Sequence, residues 1–109
     1  MLDKYMLKHD DNPTPIGELH IDIDNSSYDF IRNTNYDGPV PFFLTYIDSV
    51  LSLNERIKLW VSERCPEEDY EFIDALIQKA GLKSYDSYGF FKFNQGRFIT
   101  DSFYVEPIT

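Results

Sequence analysis

The chain has 109 residues, 42% of them apolar and 17% aromatic, which predicts one domain with a core rich in Phe and Tyr and excludes disorder along its whole length. Nineteen acidic against ten basic residues leave a net charge of −9 and a pI near 4.4. A protein so charged is repelled by phosphate backbones and anionic membrane surfaces and is steered towards basic ones, among them the channels that hold DNA or RNA. Acidity also serves solubility alone.

Cys65 is the single cysteine, so no internal disulfide forms. Residues 1–11 are mixed and charged, without the apolar run of a signal peptide, and no stretch has the length of a membrane span. The expected location is the cytoplasm.

In chain order, Tyr5-Met6-Leu7 suggests a short edge strand, and residues 10–15, Asp-Asp-Asn-Pro-Thr-Pro, read as a turn cluster. Glu18 to Asp24 alternates strictly and places Leu19, Ile21 and Ile23 on one face, which predicts a half-buried strand. Residues 28–41 carry mixed signals that leave their conformation open: Phe30-Ile31 could continue a hairpin, and residues 35–39 read as a turn. Pro39 and Pro41 keep Val40 extended. Residues 42–51 are apolar enough to be buried in a conformation the sequence leaves open.

Ser52 followed by Glu55 is a capping box. It opens a helix with Leu53, Ile57, Trp60 and Val61 on one face. Pro66 ends that helix and begins a second. There Ile73, Leu76, Ile77 and Ala80 recur at helical spacing before a stop at Gly81-Leu82. The two helices are expected to pack as a hairpin. Residues 88–100 fit a β-hairpin by propensity, or a short helix from Asp86 that ends at Gly96. The expected architecture is α+β: a small antiparallel sheet from the N-terminal third, packed on a helical hairpin with a short C-terminal helix.

Five acids, Glu67, Glu68, Asp69, Glu71 and Asp74, crowd the start of the second predicted helix. The first three suit the helix dipole without any partner. Glu71 and Asp74 lie further in, so the group is also a candidate contact surface for a basic partner. Other chemistry finds little footing. His20, Asp22 and Asp24 share a strand face but are strung too far along it to converge on one metal ion. A calcium loop from Asp22 fails because Ser27 stands at its glycine position and Asn33 at its final glutamate position. Cys65 with His9 or His20 is the one conceivable nucleophile–base pair, and no glycine cluster builds a phosphate loop. The aromatic tail (Tyr85, Tyr88, Phe90, Phe91, Phe93, Phe98, Phe103, Tyr104) has only Lys92 and Arg97 beside it, too little charge for nucleic-acid stacking. It reads as core, or as a protein-binding patch. No enzyme activity, cofactor or metal is expected.

Leu59-Trp60 through Arg64-Cys65-Pro66, then residues 73–76, Gly81-Leu82 and residues 99–107 resemble the small region that precedes the catalytic body of HipA-like kinases in Firmicutes and their mobile elements. That pattern runs Trp-Leu, Arg, Ile-Pro, a helix, and a closing Asp-x-Tyr-Trp-x-x-Pro. Trp60, Arg64, Pro66, Asp101 and Pro107 stand at its positions, while Tyr70 replaces a basic residue and Phe103-Tyr104 replace Tyr-Trp. The kinase motifs are missing, so kinase activity is not implied. The resemblance implies a helix after Asp86 that ends near Gly96, a short turn from Asp101, and Trp60 packed beneath Arg64. With the acidity, it suggests a phage or mobile-element inhibitor, anti-CRISPR-like, that blocks a basic surface of an effector nuclease. The alternative is a docking module that acts with a HipA-like kinase.

Overall fold

The structure, a computed structural model, describes residues 1–45 and 50–108; part of the apolar 42–51 stretch therefore lies outside the described residues. Four strands, β1 (Leu2–His9), β2 (Asn12–Asp22), β3 (Ser27–Arg32) and β4 (Phe103–Pro107), form one antiparallel sheet in the order β3-β2-β1-β4. Three helices, α1 (Leu53–Glu63), α2 (Ile73–Lys79) and α3 (Ser87–Phe93), lie between β3 and β4 in the chain, preceded by a 3-10 turn at Phe42–Leu44. The α+β class is as the sequence predicts.

β1 is not the expected edge. The end of the chain returns as β4 and pairs Leu7 with Val105 and Tyr5 with Pro107, so β1 is flanked on both sides. Its apolar alternation, Tyr5 and Leu7 inward, suits that place. Only Asp10-Asp11 of the predicted turn cluster turns; Asn12 to Pro15 already belong to β2. The register slips between Leu7↔Gly17 and His9↔Asn12, and Pro13 and Pro15 fall in that irregular stretch, where a missing N–H breaks no ladder bond. Leu19 and Ile21 point into the core as their alternation requires, but Ile23 lies beyond the end of the strand and is 40% exposed.

Tyr5, Leu7, Leu19, Ile21, Phe30 and Val105 make the buried sheet face. Phe43, Ile57, Trp60, Val61, Tyr88 and Phe91 cover it. Aromatic rings run edge-to-face through the interface: Phe30 on Phe43 and Phe43 on Trp60, each at 5.4 Å, Trp60 on Phe91 at 6.3 Å, and Phe91 on Tyr5 at 6.1 Å. Such pairs add stability beyond the area they bury.

α1 begins with the predicted capping box, Ser52 Oγ accepting from the Glu55 N–H while Glu55 accepts from the Ser52 N–H. α2 does not open at Pro66. Residues 67–72 form two successive turns, with the Tyr70 N–H on Glu67 O and the Ile73 N–H on Tyr70 O. Four acids over five residues repel at helical spacing. Tyr70 and Phe72 stay 47% and 59% exposed, so no apolar face pulls the segment into a helix. α2 ends as expected: Gly81 at φ +72 lets its N–H reach Gln78 O and the Leu82 N–H reach Ile77 O. None of its residues is fully buried, and the helices that lie on the sheet are α1 and α3. The tail forms the helix of the resemblance, closed by Gly96 at φ +67 against the Phe91 ring.

Candidate functional site

Glu67, Glu68, Asp69 and Glu71 stand on the two turns before α2, and Asp74 in its first turn. All five are exposed. Among the described residues none of them pairs with a cation. The backbone brings them onto one projecting segment, anchored at its start by the Tyr85 hydroxyl, which donates to Pro66 O at 2.8 Å. Burial, then the charges of Cys65, Glu68 and Glu67, push the Tyr85 phenol up from its ordinary value.

Beside this segment is an apolar groove of about 510 Å³. Pro66, Leu76 and Ala80 line it from one stretch of the chain, and Phe90, Phe93, Phe98 and Ile99 from another. The sequence-level choice between core and patch for the aromatic tail therefore resolves residue by residue. Tyr88, Phe90 and Phe91 are core, whereas Phe93 and Phe98 are partly open and Ile99 is 96% exposed. The groove was invisible in the sequence because its lining comes from three separate stretches, 64–66, 76–80 and 90–99, each about ten residues from the next.

Arg64 also lines the groove, and it is buried and fully engaged. Its guanidinium lies 4.2 Å from the Trp60 ring centre and makes a paired contact with the Asp101 carboxylate at 2.8 and 2.5 Å. It also donates to Gly96 O, and to Phe103 O at 3.2 Å. Burial pushes the Asp101 carboxyl up, but the hydrogen bonds from Arg64 and the Phe103 N–H outweigh it and hold the group below its ordinary value. This cluster ties the end of α1 to the segment entering β4, a structural task that needs no ligand.

The remaining candidates are not brought together for chemistry. Cys65 donates to Val61 O and Ser87 O, and burial pushes its thiol up to about 11, which disfavours the thiolate a nucleophile requires. His9 Nδ1 accepts from the Asp11 N–H, and His20 faces Glu18 at 3.4 Å. Asp22 accepts from Asn25, and Asp24 from the Met1 amine. Among the described residues no three metal-ligating side chains converge, and no helix is long and apolar enough to cross a membrane. No family model, curated protein or solved structure matches the chain.

Proposed function

We propose that this chain is a non-enzymatic binding protein that uses the carboxylates of residues 67–74 to contact a basic surface on another protein. One observation carries the reading: five exposed, unpaired carboxylates project from a segment that contributes nothing to the buried core. Such a row competes for the Lys and Arg side chains that otherwise hold phosphates. In its most specific form the protein is a phage or mobile-element inhibitor, anti-CRISPR-like, seated in the nucleic-acid channel of an effector nuclease.

The test is affinity capture from bacterial lysate containing CRISPR effectors, with the tagged protein and a Glu68→Lys/Glu71→Lys variant run side by side and washed at low, then high salt. The expected result is a basic nucleic-acid enzyme held by the native chain, released by salt and missed by the variant, since exposed charges are screened within about 8 Å at physiological ionic strength. Capture that withstands both salt and charge reversal overturns the reading. A kinase held in that way supports the second one, a docking module for a HipA-like kinase. That alternative draws on the direct contact among Trp60, Arg64 and Asp101, three of the residues that carry the resemblance.

A further inference from the structure

The sheet has two outer edges, β3 and β4, and they are finished differently. An edge strand presents a row of N–H and C=O groups that templates pairing with another chain unless something covers it. On β4 the Ile108 N–H reaches Lys4 O. By alternation Tyr104 and Glu106 face β1, while Phe103, Val105 and Pro107 face outward. Each of these outward positions is closed. The Phe103 N–H goes to Asp101 Oδ1 and the Val105 N–H to Gln95 O, Pro107 has no N–H, and Arg64 donates to the Phe103 carbonyl.

β3 is left open. The Asn33 N–H reaches Ile16 O, one step beyond the Gly17↔Arg32 pair. Ser27, Asp29 and Ile31 therefore face β2, and Tyr28, Phe30 and Arg32 face outward. Among the described residues, the outward N–H groups of Tyr28 and Arg32 and the Phe30 carbonyl have no hydrogen-bond partner. The outward donor that is taken is the Phe30 N–H, in the middle of the strand, and its acceptor is Asp29 Oδ1 at 2.8 Å. Asp29 is exposed, and its carboxylate enters no ion pair among the described residues. Covering this N–H is the contact its carboxylate makes.

We infer that Asp29 guards this edge: by occupying the Phe30 N–H it keeps β3 from pairing with β3 of a second copy of the chain. The pairing it blocks is antiparallel, about a two-fold axis at Ile31. In that register Phe30 of each copy exchanges bonds with Arg32 of the other, and pairing must first break the Asp29 contact. A second copy fits because β3 is complementary to itself there. Ile31, 53% exposed, lies beside its own copy, and Asp29 stands opposite Asn33, so no like charges are opposed. The inference is independent of the acidic reading of residues 67–74.

The test is sedimentation velocity of the whole chain over a concentration series, at high salt so that repulsion between two chains of charge −9 is screened. The native chain should sediment as a monomer. Asp29→Ala frees the Phe30 N–H and should dimerise about tenfold more tightly or better, the factor that one hydrogen bond to a charged group is worth. Asp29→Asn keeps a side-chain oxygen for that N–H and should stay close to the native chain. Two additions to Asp29→Ala should each restore the monomer, with circular dichroism confirming the fold. Ile31→Lys sets two cations side by side, and Arg32→Pro removes an outward donor at an edge position where proline is tolerated. The inference is overturned if Asp29→Ala associates no more than the native chain, or if the native chain is already paired through β3. It is overturned equally if Asp29→Asn dimerises as strongly as Asp29→Ala, which makes charge and not the hydrogen bond the guard. A dimer that survives both Ile31→Lys and Arg32→Pro lies elsewhere on the surface and overturns it too.

Discussion

α1 and α2 carry similar sequence signals, an apolar stripe with a start and a stop, and they meet different fates. α1 starts at its capping box and buries Ile57, Trp60 and Val61 under the sheet. α2 starts seven residues after its predicted origin, without a side-chain cap, and buries no residue fully. The difference lies in what each stripe finds. The α1 stripe meets Phe43 and Phe91 across the aromatic stack, while Leu76 and Ala80 of the α2 stripe line an open groove. A helical period records that a face is apolar and not what covers it. The molecule thus separates two uses of acid: Asp101 is consumed internally by Arg64, and residues 67–74 are left outward.

The largest expected effect breaks the α1 side of this comparison. Arg64→Leu leaves the Asp101 carboxylate and the Gly96 and Phe103 carbonyls without their donor. It should cost about 3–5 kcal/mol, much of the roughly 5–15 kcal/mol that holds such a domain, as read by urea unfolding. The pH dependence sharpens it. Because the folded-state pKa of Asp101 is depressed, its contribution is present above the unfolded carboxyl pKa of about 3.9. That contribution is lost as pH falls through the lower folded value. Arg64→Leu should therefore flatten the acid limb of the stability curve; an unchanged limb would mean that the pair is not the source.

Next in size is the cap. Ser52→Ala removes the acceptor for the Glu55 N–H and should cost about 1 kcal/mol, seen as a lower thermal midpoint with native spectra retained. The smallest effect belongs to the α2 side. Glu68→Lys/Glu71→Lys changes only exposed, unpaired groups and should stay within about 0.5 kcal/mol of the native chain. A larger loss would show that the acidic turns support the fold, and would remove the reason for assigning them to a partner.

The sequence by itself determined the features that depend on neighbours along the chain. The β2 alternation at Leu19 and Ile21, the Ser52–Glu55 box and the Gly81 stop are all local hydrogen-bond or steric arrangements, and each stands where its residues predicted. The five acids were equally legible as a group, though not as turns, because repulsion among them competes with a helix signal that assigned them to a first turn. Tertiary structure alone decided that β1 lies inside the sheet, since its second neighbour arrives about a hundred residues later. It alone divided the aromatic tail between core and groove, and gave Arg64 its carboxylate partner thirty-seven positions away. Pairings of that kind are chosen by which surfaces remain uncovered once the local elements have formed, and no local pattern contains them.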